Sequence, residues 1–377
     1  MFLFISYADN MTRHLKMGQF SPEPFCGRIK MKILFIFTGG TIGSTEHCGV
    51  RRADEAKPYK IIAAYRRQFG IDFEYETAEP YTELSENLTG EHIRELIAEV
   101  KGALRADYDG IIVTHGTDTL QYSAAALGYA LGLDTIPVCL VSANAPIENE
   151  DSNGLVNLRA AVRFIELRAG RGVFCVYANA DSSEGRICCG ESGLKNGNGQ
   201  GRVLIHRATR LMPSAPFSDR VESIFGQYYG EISENSDFIK NESFCERCDV
   251  ISPLDGSALS SESDDILVLA PYVGMKYPSL DGVRWVILGT FHSGTLNVKS
   301  KAARAFFAEA KRRGVTVFAV GTTEELFYAS SAEFATLGIT PINNISPIAA
   351  YIKLWLLTAC GRSPSNEMSR SLSGDVV

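Results

Sequence analysis

Two short stretches of the chain bring together residue types that suit chemistry on a carbonyl group. Residues 38–44 read TGGTIGS, and residues 115–120 read HGTDTL. Each contains a hydroxyl, in Thr41 and Thr117, and the second adds the carboxylate of Asp118. Glycines in both turns free backbone N–H groups that suit a developing oxyanion. A hydroxyl beside such donors is the arrangement expected of a nucleophile that attacks an amide or ester carbonyl.

Each stretch also has an interpretation without chemistry. Thr41 and Asp118 are both residue types that commonly cap the start of a helix. His115, next to a strand end, is more typical of a packed, hydrogen-bonded histidine than of a catalytic base. Because the same kind of turn occurs twice, after two successive strand patterns, we favour a shared site to which Gly40 and Gly116 contribute backbone groups.

The elements around these turns predict a parallel sheet. Apolar runs typical of buried strands alternate with segments of helical periodicity. The predicted strands are residues 33–37, 110–114, 136–143 and 172–178, and the predicted helices are 86–104, a segment starting near 118, and 153–168. Alternating apolar strands and helices indicate a sheet covered on both faces. Because loops at the carboxyl ends of parallel strands open on one edge, the two turns should converge there.

The pattern along the 377 residues predicts an α/β protein with two domains. The larger N-terminal domain is a doubly wound, mostly parallel sheet, and the C-terminal domain is a smaller α/β unit. The predicted segments are an appendage at 1–30 outside the fold, the N-terminal domain at 31–230, a polar linker at 231–263, the C-terminal domain at 264–361 and a disordered tail at 362–377. Met31, just before the first strand, is an alternative start of translation.

Composition excludes several functional classes. Charged residues make up 21% of the chain and the net charge is −7, which argues against nucleic acid or an anionic membrane as the main partner. The apolar start of the chain has no preceding Lys or Arg and is interrupted by Tyr7 and Asp9, so it is a poor signal peptide. We therefore expect a cytoplasmic protein that needs no membrane.

The nine cysteines do not form a recognisable scaffold. Cys245 and Cys248 form a CxxC pair without a second ligand pair at zinc-site spacing, and the adjacent Cys188 and Cys189 are no better. We expect incidental thiols, and we expect neither a metal nor an organic cofactor.

Taken together, TGGTIGS and HGTDTL resemble the paired signatures of the L-asparaginase/glutaminase family, the bacterial amidohydrolases with a threonine nucleophile. The resemblance continues in DSNGLVNLRAAV, GTFHSGTLN and GITPINNISPIAAYIKLW, and runs from about residue 31 to 361. The absence of a secretory signal makes the chain more similar to the cytoplasmic type I form. The resemblance implies a homodimer or homotetramer in which the C-terminal domain helps to close the active site.

The resemblance assigns roles to individual residues. Thr41 is expected to be the nucleophile that forms an acyl-enzyme, and Thr117 to position or activate the hydrolytic water. Asp118 is expected to hold the α-ammonium of the substrate, while Ser85 and Glu86, in TELSENLT, match the loop that binds its carboxylate and amino ends. His292, in FHSGTLN, is interpreted as part of the pocket rim.

The chain departs from the family at both customary activators. The family's lysine beside Thr117 falls at Met212 or Pro213, and no lysine occurs between Lys195 and Lys240. Lys195 lies in a Gly- and Asn-rich stretch typical of a loop, and His206, next to Arg207, is predicted to face outward on a strand. These departures predict reduced activity, because losing a positioned acid or base commonly costs about 10²–10⁴-fold.

A tyrosine is the second activator that is missing. The family places it in the loop after the first motif, at the position of Val50 here, whereas Tyr59 is well downstream. Three functions therefore stay open. The first is hydrolysis of L-asparagine to L-aspartate and ammonia, with L-glutamine as an alternative substrate. The second is a catalytically impaired homologue that binds a small amino acid as a sensor or scaffold. The third, ranked last, is an ammonia-supplying component of a tRNA-dependent amidotransferase.

Overall fold

The computed structural model describes most of the chain from Lys30 onward. The described residues are 30–40, 42, 44–47, 50–53, 57–179, 187–188, 195–196, 202–213, 215, 218, 220–233, 237–249, 253–324 and 328–377. The predicted appendage at 1–30 lies outside them except for Lys30.

Strands and helices alternate through both halves of the described chain. The strands are β1 Lys32–Phe37, β2 Ser44–His47, β3 Val50–Ala53, β4 Glu74–Ala78, β5 Gly110–Thr114, β6 Val138–Val141, β7 Val173–Tyr177, β8 Ile187–Cys188, β9 Lys195–Asn196, β10 Val203–Arg207, β11 Gly230–Ile232, β12 Phe238–Lys240, β13 Ile266–Leu269, β14 Trp285–Gly289, β15 Thr316–Thr322 and β16 Ile339–Asn343. The helices are α1 Lys57–Phe69, α2 Gly90–Ala103, α3 Leu120–Leu131, α4 Gly154–Glu166, α5 Lys301–Arg313, α6 Ala329–Ala332, α7 Phe334–Leu337, α8 Pro347–Ala359 and α9 Pro364–Glu367.

The larger sheet of the described chain has eight strands in the order β12-β11-β10-β7-β6-β5-β1-β4. The five strands from β4 to β7 in this order are parallel, and β10 to β12 are added antiparallel at one side. Side chains of β1 alternate between two cores: Leu34 and Ile36 pack with α2 and α3, whereas Phe35 and Phe37 pack with α1 and α4. The predicted doubly wound, mostly parallel sheet is confirmed.

The smaller sheet has the order β13-β14-β15-β16, and all its strand pairs are parallel. Helix α5 covers one face through Phe306 and Phe307. Helix α8 covers the other face, and its residues share one continuous core with α2 and α3 of the larger sheet. The two sheets are therefore joined through α8, which explains why this helix is apolar almost all round.

The predicted linker at 231–263 is more regular than expected. Strands β11 and β12 pair with each other, and β11 pairs with β10, so this segment extends the larger sheet. The polar composition misled the prediction because these strands form the outer side of the sheet, where Ile239 and Lys240 are exposed.

The prediction of a disordered tail at 362–377 was wrong. The tail includes α9 and then runs into the protein, where Met368, Leu372 and Asp375 are buried. The carboxylate of Asp375 lies 2.9 Å from the ammonium of Lys353, on α8, and both side chains are fully buried. A Ser-rich sequence looked disordered because its buried hydrogen bonds are made to partners far away in the chain.

No helix in the described part of the chain is long and apolar enough to cross a membrane.

Candidate functional site

The site begins where β1 and β5 end side by side in the larger sheet. Phe37 is the register partner of Thr114, so the TGG and HGT turns leave the sheet at adjacent positions. The hydroxyl of Thr38 donates to the carbonyl of Thr114 at 2.7 Å. A third segment joins them, because Gly40 N–H donates to the carbonyl of Glu83 at 3.1 Å.

Glycine is required in these turns because three backbones approach one another. Gly40 has φ of +76°, and a Cβ there would lie 2.2 Å from the nitrogen of Gly116. A Cβ on Gly116 would in turn lie 2.3 Å from Oγ of Ser85. Any larger side chain would push the loops apart, so the glycines bring Ser85 and both turns together. The predicted convergence is seen for the described residues of both turns.

Ser85, Thr117, Asp118 and Glu86 lie together at this edge of the sheet. Ser85 is buried, and its hydroxyl donates to Oδ2 of Asp118 at 3.3 Å. The hydroxyl of Thr119 donates to the carbonyl of Ser85 at 2.8 Å, which holds the loop of Ser85 against the HGTDTL turn. Thr117 is half-buried, whereas Asp118 and Glu86 are exposed. An exposed carboxylate with one long hydrogen bond keeps acceptor capacity for a ligand.

Thr41, the predicted nucleophile, lies outside the described residues, although Gly40 and Ile42 on either side are within them. Its role stays a prediction.

His115 is a structural residue of this site. Its Nδ1 lies 2.8 Å from the carbonyl oxygen of Gly116, and its Nε2 lies 2.8 Å from Oγ of Ser123. A carbonyl only accepts, so Nδ1 carries the proton and Nε2 accepts from the serine. Burial lowers the pKa of His115 to about 4, against the raising effect of the Gly116 carbonyl. The neutral imidazole therefore holds Gly116 in place and is not a base for the substrate.

The segment at which the family's lysine would fall also reaches this edge. Asn179, just beyond β7, exchanges two hydrogen bonds with the backbone of Val221, and Met212 N–H donates to the carbonyl of the adjacent Glu222 at 2.8 Å. Met212 is half-buried and Pro213 is exposed. Neither side chain can transfer a proton.

The nearby basic residues are used elsewhere in the fold. His206 is buried on β10, not facing outward as predicted, and its Nδ1 lies 2.8 Å from Oγ of Ser223. Burial lowers its pKa to about 4. Arg207 is ion-paired with Glu246 at 2.7 Å. The side chains of Lys195, Val50 and Tyr59 lie outside the described residues.

A cleft of about 580 Å³ adjoins the site and was not predicted from the sequence. It is bordered by Asp118 and Glu86 on the site side and by Tyr351 and Trp355 of α8 on the other. The sequence contained only one signal for it, the two aromatic residues four apart on α8. Within the described residues, no group of three or more His, Cys, Asp or Glu side chains is arranged to hold a metal ion.

Comparison with known proteins gives two kinds of relative. Residues 32–212 match the family model described as "Asparaginase, N-terminal". One component of the glutamyl-tRNA(Gln) amidotransferase of Saccharolobus solfataricus is 26% identical over 347 residues, which cover 87% of this chain and 72% of that protein. The L-asparaginase of Thermococcus kodakarensis is 34% identical over 135 residues, 36% of this chain and 40% of that protein.

Solved structures share the fold over nearly the whole chain. The thermostable L-asparaginase from Thermococcus kodakarensis superposes with a TM-score of 0.72 and 20% identity, covering 92% of this chain and 99% of that one. L-asparaginase I from Vibrio cholerae gives a TM-score of 0.67, also at 20% identity, with the same coverage.

The fold is thus that of the solved L-asparaginases. Residues 32–212 belong to the asparaginase family.

Proposed function

We propose that the protein hydrolyses the side-chain amide of L-asparagine to L-aspartate and ammonia, with L-glutamine as the alternative substrate. Thr41 attacks the amide carbon and forms an acyl-enzyme with loss of ammonia, and water assisted by Thr117 releases the product. Backbone N–H groups freed by Gly40 and Gly116 are available to the oxyanion. The observation that carries this proposal is the contact of three loops that brings Ser85 and Asp118 beside both glycine turns.

The charge of the site suits a zwitterionic amino acid. Asp118 is exposed and accepts a single bond, from Ser85, among the described residues, so it can accept from an ammonium. Glu86 follows Ser85 directly in the chain and lines the same cleft as Asp118. We further propose that the enzyme acts as a homodimer or homotetramer, which sedimentation of the purified protein would test. We also propose that it is cytoplasmic.

We expect slow turnover, because Met212 and Pro213 stand where the family has a lysine. The test measures ammonia release from asparagine and glutamine by the protein and by the variants Thr41→Ala, Met212→Lys and Pro213→Lys. Thr41→Ala should reduce release to background. Met212→Lys or Pro213→Lys should raise it by about 10²-fold or more, depending on which of the two positions brings the ammonium to Thr117. Val273→Lys, at an exposed position far from the site in the sequence, is the control for an added charge.

Folded protein that releases no ammonia, before or after Met212→Lys or Pro213→Lys, would contradict the proposal. Binding of aspartate by calorimetry without turnover would instead support the second candidate, an impaired homologue that binds an amino acid. The same methionine and proline motivate that candidate.

An ammonia-supplying role is the third candidate. It is favoured by the long match to the glutamyl-tRNA(Gln) amidotransferase component of Saccharolobus solfataricus. Co-purification of a second protein with the full chain, and ammonia release that depends on it, would support this role over free hydrolysis.

A further inference from the structure

We propose that the cleft beside Asp118 is a binding site for an organic cation, a primary ammonium carried on an apolar body. The cleft has a volume of about 580 Å³, within the range of sites for small molecules and much larger than asparagine requires. It therefore has room for a second ligand, or for a larger one, next to the proposed substrate site.

One wall of the cleft is a continuous row of aromatic rings from α3 and α8. Tyr122 and Tyr351 meet edge to face with ring centroids 6.2 Å apart, and Tyr351 and Trp355 lie 5.7 Å apart. The hydroxyls of Tyr351 and Ser263 are within 2.8 Å of each other, which holds the middle ring in place. Such a row offers flat apolar surface to the body of a ligand and ring faces to its charge.

The floor of the cleft is rigid. Gly90, the first residue of α2, lies directly beneath Trp355, because a Cβ at this position would be 2.7 Å from the indole ring and 1.9 Å from the carbonyl oxygen of Ser260. The N–H of Gly90 donates to the carbonyl of Ser261 at 2.9 Å. The start of α2 and the segment 260–263 are therefore fixed to each other, and the cleft is preformed.

The charge of the cleft selects a cation. Among the residues that the structure describes, three carboxylates line it, those of Glu86, Asp118 and Glu262, and no lysine or arginine does. Among the described residues, Glu86 and Glu262 have no ion-pair partner, and Asp118 accepts only from Ser85. The nearby Arg94 is engaged with the carbonyl of Leu259 at 2.6 Å and does not line the cleft. Carboxylates that line one cleft together with aromatic rings are stabilised by a bound ammonium.

The test uses 2-phenylethylammonium as the probe, with 3-phenylpropionate and 3-phenylpropanol as the anionic and neutral counterparts. The chain has two tryptophans, and in the full-length Trp285→Phe variant the indole of Trp355 reports on the cleft. We expect saturable quenching by the cation at millimolar or lower concentration, and at least about tenfold weaker binding of the anion and of the alcohol.

Matched variants locate the site. Glu262→Gln should weaken binding of the cation by about tenfold, since it removes one of the carboxylates without touching the proposed catalytic groups. Asp264→Asn is the control, because its carboxylate lines a neighbouring depression and not this cleft. Binding should be unchanged in this variant.

Three outcomes would overturn the proposal: no saturable quenching, equal binding of the anion, or no effect of Glu262→Gln. Because binding is read from fluorescence and not from ammonia release, the result does not depend on whether the proposed hydrolysis occurs.

Discussion

Helix α3 has an aspartate at each end, and the two carboxylates are held in very different ways. Asp118 lies just before the helix, is exposed, and accepts one hydrogen bond of 3.3 Å from Ser85. Asp375 comes from the C-terminal tail to the other end, is fully buried, and accepts from Tyr129 at 2.8 Å and from Lys353 at 2.9 Å. Asp375 also accepts from the hydroxyl of Ser371 and from the N–H groups of Leu372 and Ser373.

The difference separates a structural carboxylate from one available to a ligand. A buried charge is tolerated only when it is paired and hydrogen-bonded, and Asp375 meets both conditions. Asp118 has spare acceptor capacity and an open approach from solvent. The tail thus stabilises the fold around α3 and α8, whereas the opposite end of α3 is left free for binding.

Removing the partner of Asp375 should give the largest effect. Lys353→Met leaves a buried carboxylate without its counter-charge, and we expect it to lower the free energy of unfolding by about 3–5 kcal/mol. Denaturant unfolding at neutral pH measures this, with the exposed Lys301→Met as the control. The double variant Lys353→Met/Asp375→Asn should recover part of the loss. A change below about 1 kcal/mol for Lys353→Met would mean that the pair contributes little to the fold.

The same pair has a defined pH dependence. Burial raises the pKa of Asp375, but the charge of Lys353 and the hydrogen bonds from Lys353, Tyr129 and Leu372 outweigh it, and the net pKa is lowered. The contribution of Asp375 to the free energy of unfolding is therefore present above its pKa in the unfolded chain, about 3.9. It is lost as the pH falls through the lower pKa that Asp375 has in the folded protein. The difference between the wild type and Lys353→Met should shrink in that acidic range.

The buried histidines should destabilise the fold at a higher pH than the tail pair. His115 and His206 stay neutral in the folded protein down to a pKa of about 4, whereas in the unfolded chain they take up protons near pH 6.5. Stability is therefore complete above pH 6.5 and falls between pH 6.5 and 4, by up to about 3 kcal/mol for each imidazole.

His206→Asn provides the matched test of this acid loss, because it keeps a polar group for Ser223 and removes one titration. Unfolding curves of this variant, collected from pH 7 to pH 4, should show a loss of unfolding free energy about half as large as the loss that His115 and His206 together cause in the wild type. An unchanged slope would exclude His206 as a contributor.

Tyr129→Phe should have an intermediate effect on the tail. It removes one donor to Asp375 and leaves the other four in place, so we expect a loss of about 1–2 kcal/mol in unfolding free energy. The exposed Tyr328→Phe is the control and should change stability by less than about 0.5 kcal/mol. Equal effects of the two variants would argue that the Tyr129 bond adds no stability.

The contrast between the two ends of α3 also explains which predictions from sequence succeeded. The strands ending at Phe37 and Thr114 were predictable because their apolar runs and glycine turns are local signals. Since parallel strands end at one edge, the approach of Gly40 to Gly116 followed from the predicted topology.

Features that depend on distant partners were not predictable in this way. Asp375 and Lys353 are 22 residues apart in the sequence, and only tertiary packing makes the tail part of the core. The burial of His206 depends on its strand lying within the sheet, between β7 and β11, which the periodicity of one strand does not reveal. The cleft formed by Tyr351 and Trp355 likewise requires α8 to pack beside α2 and α3.

The smallest change in stability is expected at the site itself. Asp118→Asn removes an exposed charge with one long hydrogen bond, so the free energy of unfolding should change by less than about 0.5 kcal/mol. Binding of L-aspartate, measured by calorimetry, should weaken by about tenfold or more, because the amide no longer pairs with the ammonium of the ligand. Ser85→Ala should have the same direction with a smaller effect, since it keeps the carboxylate and removes one donor. If Asp118→Asn instead destabilised the fold by more than about 1 kcal/mol while leaving aspartate binding intact, Asp118 would be a structural residue like Asp375, and the proposed substrate site would have to lie elsewhere.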